Sequence, residues 1–208
     1  MTIAVVGSGG KTTLVKRLAR QYREAGKRVF VTTTTHMFIE ADTLLTDDAA
    51  PIIQQLKETG YAMAGLPERD LIKPLSQQTY QAVCAHADVV LVEADGSRRL
   101  PLKFPNASEP VIPENADEIL VVCGLNAVGQ QARDVCHRLE LVKACLCIED
   151  DAIITPDHVL KLVTQGYLRP LAARYPDKTI TLMPRDNGSE EQLELARWLK
   201  RADLQKTY

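Results

Sequence analysis

The sequence has no excess of positive charge: 25 Lys and Arg stand against 27 Asp and Glu, a formal charge of −2. A dedicated nucleic-acid binder, which must neutralise a phosphate backbone, is disfavoured. No apolar stretch approaches the roughly 20 residues that span a bilayer, and the N-terminus lacks the basic region and long apolar run of a signal peptide. We therefore expect a cytoplasmic chain with no membrane partner. Cysteine is scarce and irregular. Cys84, Cys123, Cys136, Cys145 and Cys147 are odd in number, and a chain of this size folds without disulfides, so free thiols are expected. Cys136-His137 and Cys145-Leu-Cys147 can be drawn as a metal site, but CxC lacks the spacing of a zinc knuckle. GxSxG, HExxH and CxxC are all absent, which leaves hydrolase triads and zinc-protease chemistry without support.

What is present is an ordinary globular composition: 208 residues, 45% apolar, 25% charged, with 11 each of Gly and Pro. That length allows one sizeable core, and we expect a single domain over 1–208. A homodimer is compatible with it.

Buried strands alternate with amphipathic helices along the chain. Strands are expected over Thr2–Val6, Arg28–Thr32, Tyr61–Ala64, Asp88–Glu93, Glu118–Cys123 and Lys178–Met183. Helices are expected from Thr12 to Tyr22, with Gly26 just past the end, and over Ala49–Glu58, Gln77–His86, Asp134–Cys145, Asp157–Gln165 and Glu190–Arg201. This order implies an α/β fold of three layers with a mainly parallel sheet, like that of the P-loop NTPases. Between Leu100 and Asn115, prolines at 101, 105, 110 and 113 forbid a helix and suit an ordered, extended excursion, the expected lid for a substrate or partner.

The chemistry concentrates at Gly7-Ser-Gly-Gly-Lys-Thr-Thr13, between the first strand and the first helix. Phosphate binding needs convergent backbone N–H groups, a positive charge and a chain that approaches closely without a Cβ. Gly7, Ser8, Gly9 and Gly10 suit the cradle, Lys11 the charge, and Thr12 the magnesium ion. The pattern GxxxxGK[ST] fails as written, because its first glycine falls at Val5. What remains, GxxGKTT, is two residues shorter and resembles the loop of the Mur ligases, in which alignment Thr13 faces the α-phosphate. A dinucleotide GxGxxG would need glycine at Thr12 and an acid ending the second strand, where threonines stand.

A triphosphate site also needs a carboxylate at the end of a neighbouring buried strand. Val89-Val-Leu-Val-Glu93 places Glu93 there, for the metal or the attacking water, with Asp95 in support. Arg98, Arg99 and Lys103 follow as candidates for stabilising charge or contacting substrate, Arg98 the first of them. Thr32–Thr35 can ligate magnesium or sense the γ-phosphate, and His36 lies beside that tract on the acceptor side. At Met183-Pro-Arg-Asp186, a guanine-reading NKxD would need Asn and Lys, so ATP is favoured over GTP.

Together, the glycine loop, Thr32–Thr35, Val92-Glu-Ala-Asp-Gly96, Leu100-Pro-Leu-Lys103, Glu109-Pro-Val-Ile-Pro113 and His137-Arg-Leu-Glu-Leu141 resemble the YqeC family. Its members are described as accessory proteins of selenium-dependent molybdenum hydroxylases. The resemblance implies a P-loop NTPase that matures such an enzyme, or its cofactor, as partner. It equally admits a nucleotide-gated adaptor, resembling metallochaperone GTPases in the EADG strand, with little hydrolysis of its own.

Overall fold

The first strand forms because Thr2–Gly7 (β1) is a β-branched run with every residue buried, the pattern of a strand covered on both faces. The structure, a computed structural model, describes residues 1–186 and 188–204. After β1 come α1 (Lys11–Glu24), β2 (Val29–Thr33), β3 (Met37–Phe38), β4 (Thr43–Leu44), α2 (Ala49–Thr59) and β5 (Tyr61–Ala64). Then follow β6 (Leu66–Glu68), β7 (Leu71–Lys73), α3 (Gln77–Cys84), β8 (Val89–Glu93), β9 (Leu102–Lys103), β10 (Glu118–Gly124), α4 (Ala132–Val135) and β11 (Cys136–His137). The chain continues with α5 (Leu139–Leu146), α6 (Pro156–Val163), α7 (Arg169–Arg174), β12 (Thr179–Arg185) and α8 (Glu190–Leu204).

Seven strands make one mainly parallel sheet in the order β12-β10-β1-β8-β2-β5-β4, with helices flanking it, which is the expected three-layer α/β architecture. By packing, the chain divides into two units interleaved in sequence. The first holds Met1–Val5, Thr12–Gly96 and Val111–Glu118; the second holds Val6–Lys11, Ser97–Pro110 and the chain from Ile119 onward.

In the first unit, β8 lies between β1 and β2, both parallel to it, with Glu93 in register with Val5 on one side and Thr33 on the other. Alternate residues of these strands pack on Ile52 and Leu56 of α2 and Val83 of α3, forming a core with Phe30, Val90 and Val92. α2 starts where Asp48 accepts a hydrogen bond from Ala50 N, and stops at Gly60, which takes φ 71° and so ends the helix in the left-handed region. A three-stranded sheet of β3, β7 and β6 also lies here, unforeseen because its two- and three-residue strands are too short to show a period.

In the second unit, two expected helices are redrawn. The one expected over Asp134–Cys145 is broken: Cys136 and His137 leave the helix to pair with Leu102 and Lys103, and Arg138 turns the chain with φ 59°. The pairing partner lies far away in sequence, where helical periodicity cannot register it. The helix expected to end at Gln165 continues instead through a π-helical turn, Thr164–Leu168, into α7. Gly166 and Pro170 read as breakers, yet Pro170 falls in the first turn of α7, where its missing N–H is tolerated. Gly166 is needed for closeness, since a Cβ there would meet Pro105 Cδ at 2.9 Å.

Candidate functional site

The glycine loop turns between β1 and α1, and its conformation requires glycine. Gly7, Gly9 and Gly10 adopt φ of 91°, 77° and 115°. A Cβ on Gly7 would stand 2.0 Å from Val122 O, and one on Gly9 would stand 2.5 Å from Gly124 Cα and 2.7 Å from Pro101 O. The loop is thus pressed against the end of β10 and the start of the proline segment. Ser8 adds to this hold, its N–H donating to Val122 O at 2.9 Å and its hydroxyl to Pro101 O at 3.0 Å.

Lys11 opens α1 and is buried, 4% exposed. Its ammonium donates to Gly7 O at 3.0 Å, curling back over the loop, and to Ser97 Oγ at 3.3 Å. Directly after Ser97, Arg98 and Arg99 are exposed and both left-handed, with φ 49° and 64°. Non-glycine residues pay strain to hold such a backbone, and strain of this kind gathers at functional sites. Sequence reading missed Arg185 altogether. Its Cγ and Nε lie 3.4 and 3.5 Å from where a Cβ of Gly10 would be, so this cation sits on the glycine loop. No local pattern marks it, because it comes from the far end of the chain.

Lys103, the last of the candidate cations, is held inside the protein. It is fully buried, with Nζ 2.7 Å from Glu109 Oε2, and Arg138 also donates to that oxygen. Burial by itself would raise the Glu109 carboxyl, but the hydrogen bonds from Arg138 and Lys103 outweigh it and bring the pKa down to about 2. Leu102 is buried beside Lys103, while Ala107 and Ser108 are exposed, so the proline segment is anchored at its middle and open at its tip.

In the first unit, Thr12 donates its hydroxyl to Glu93 Oε2 at 3.0 Å. Glu93 is 6% exposed and Asp95 is fully buried, the one at the end of β8 and the other two residues beyond. Thr13, in contrast, points to solvent at the start of α1. Thr33 Oγ1 donates to Glu93 O at 2.7 Å and Thr34 Oγ1 to Val111 O at 2.6 Å, while Val111 N donates to Ala94 O at 2.9 Å. Thr32 is occupied elsewhere, donating to Ala64 O at 2.9 Å. Thr35 Oγ1 is buried and meets no hydrogen-bond partner among the described residues. His36 is half exposed and pairs with Glu68 at 2.7 Å.

The five cysteines are free thiols, and burial pushes Cys123 and Cys136 up to about 12. Among the described residues, no three His, Cys, Asp or Glu side chains gather as a metal site, and no helix is long and apolar enough to cross a membrane.

A three-layer α/β sheet whose first strand runs through a glycine-locked, lysine-bearing loop into a helix defines the class of this protein. Residues 3–140 match the family model described as YqeC protein, and the chain belongs to that family. It is 33% identical over 179 residues to a protein of Escherichia coli (strain K12) described as uncharacterized protein YqeC, an alignment covering 77% of this chain and 64% of the relative. The chain thus matches somewhat under two thirds of that relative's length.

Proposed function

We propose that the chain binds a magnesium nucleoside triphosphate at Gly7–Thr13 and uses phosphoryl chemistry in maturing a molybdenum hydroxylase or its cofactor. The observation that carries the reading is the bond from Thr12, the residue after the loop lysine, to the carboxylate that ends β8. A hydroxyl and a strand-end carboxylate held together by one proton are the donor set a magnesium ion takes in phosphoryl transfer. Thr12 and Glu93 would hold that ion, which when bound supplies charge neutralisation to the phosphates. Backbone amides of the loop would bind the phosphate oxygens, made reachable by glycines that carry no Cβ. Lys11 would leave Gly7 O for the phosphates, and Asp95 would support Glu93 and the attacking water. Arg98, with Arg185, would stabilise the charge that develops on the transferring group. ATP is the favoured nucleotide. Asp186, which guanine reading would need, instead accepts from Gly188 N at 3.0 Å.

Calorimetric titration of Mg-ATP and Mg-GTP into wild-type and Lys11→Ala protein tests the proposal. Binding that prefers ATP and is lost in the variant, a change of about 2 kcal/mol or more, is the expected result. No binding of either nucleotide by the wild type at millimolar concentration overturns it.

A second reading, a nucleotide-gated adaptor, draws on the threonine tract. Thr33 holds the backbone of Glu93 while Thr34 holds Val111 at the base of the proline segment, so movement at the carboxylate would be felt there. Negligible turnover that a partner stimulates favours the adaptor; turnover tied to product favours the enzyme.

A further inference from the structure

One motif of the second unit stands outside the phosphate chemistry: Cys145-Leu-Cys147, at the end of α5. Residues two apart on a helix point to different sides, so a thiol pair at this spacing is ordinarily split. Here the helix stops at Leu146, and Cys147 caps it in the left-handed region, with φ 59° and ψ 52°, a position that usually falls to glycine. That turn folds the second thiol back on the chain, where Cys147 Sγ donates to Ala144 O at 3.9 Å. Ala144 O belongs to the peptide bond that leads into Cys145, so the thiol of Cys147 lies against the backbone of Cys145. The backbone spacing also suits a bond between them. With Leu146 helical, the Cα atoms on either side of it stand about 5.4 Å apart by helix geometry, close to the commonest separation across a disulfide, about 5.5–6 Å.

The two thiols differ in a way that sets an order. Cys147 is exposed, whereas Cys145 is half-buried, its thiol donating to Gln165 Oε1 at 3.3 Å. Burial raises the Cys145 pKa, with the nearby Lys161 opposing it. An incoming reagent therefore meets Cys147 first, while Cys145 waits protonated behind it. A structural metal does not suit the pair. Zinc of that kind takes four protein ligands, and among the described residues no third Cys, His, Asp or Glu gathers with these two.

We infer that Cys147 and Cys145 form a thiol–disulfide exchange site for small disulfides such as oxidised glutathione, with Cys147 attacking and Cys145 resolving. The site needs no nucleotide. The Cys147 thiolate attacks one sulfur of the disulfide RSSR, forming Cys147–S–S–R and releasing RS⁻, which takes up the proton that Cys147 gave up. Cys145 then loses its proton, and its thiolate attacks the Cys147 sulfur. The bond from that sulfur to SR breaks, and the second RSH leaves with the proton from Cys145. Two protein thiols are oxidised to one disulfide, and one small disulfide is reduced to two thiols.

The test treats the reduced full chain with oxidised glutathione, blocks the remaining thiols with iodoacetamide in urea, and weighs the 144–161 tryptic peptide, which holds both cysteines. Wild type, Cys145→Ser and Cys147→Ser are compared. We expect the wild-type peptide to be lighter than its reduced form by two hydrogens and to carry no glutathione. Cys145→Ser should stop at one glutathione held on Cys147, and Cys147→Ser should react more slowly than wild type. A wild-type peptide that keeps glutathione on Cys147 while Cys145 stays open to the block overturns the site. So does a wild type that fails to react, or one whose disulfide joins either cysteine to a different one. These outcomes come from wild type alone, so a variant that failed to fold would not shield the inference. A Cys147→Ser protein that is folded by circular dichroism and reacts as fast as wild type also overturns it.

Discussion

Thr12 and Glu93, 81 positions apart in sequence, share a hydrogen bond of 3.0 Å at the end of β8. Thr12→Ala removes the hydroxyl while leaving the helix intact, since alanine favours helix. Mg-ATP affinity should fall about tenfold, and the difference should vanish when magnesium is chelated. Calorimetry with and without EDTA reads it; a loss that persists without magnesium would count against metal ligation.

Arg185 approaches the glycine loop at Gly10. Replacing it with alanine should weaken Mg-ATP binding about tenfold, read by calorimetry. Unchanged affinity would remove Arg185 from the site.

Gly9 and Gly26 are both left-handed, with φ of 77° and 74°, but only Gly9 is hemmed in by backbone. Gly26→Ala should cost about 1 kcal/mol for the conformation alone. Gly9→Ala adds a clash with Gly124 and Pro101 and should cost about 3 kcal/mol. Chemical denaturation of the two variants measures the difference, and equal costs would mean that the loop is not pressed against β10.

Glu109 serves a buried lysine. Glu109→Gln leaves Lys103 buried beside an uncharged partner and should destabilise by about 3 kcal/mol, whereas Lys103→Met with Glu109→Leu should recover most of that loss. The folded-state pKa of about 2 lies below the ordinary 4.5, so the carboxylate's contribution is complete above about 4.5 and drains away as pH falls toward 2. Urea unfolding across that acid range should show wild type losing stability more steeply than Glu109→Gln.

The candidate site was legible where its chemistry is local. Gly7–Thr13 stands out because its glycines, lysine and threonines are adjacent, the pattern expected of a phosphate-binding turn, and Glu93 because it ends an unbroken buried run. The burial of Lys103 was not legible, because the same letter serves a surface charge and a buried ion pair, and only Glu109 and Arg138 distinguish them. Arg185 gave no signal at all, being ordinary in its own neighbourhood.

By itself, then, the sequence determined the alternation of buried strands with amphipathic helices, and the glycine loop between the first pair, because periodicity and backbone freedom are properties of neighbouring residues. The tertiary structure decided which distant residues met: Thr12 with Glu93, Lys103 with Glu109, and Cys136-His137 drawn out of a helix to pair with Leu102-Lys103. Those outcomes depend on hydrogen bonds and burial between segments many residues apart, whose strength exceeds the small local preferences they override.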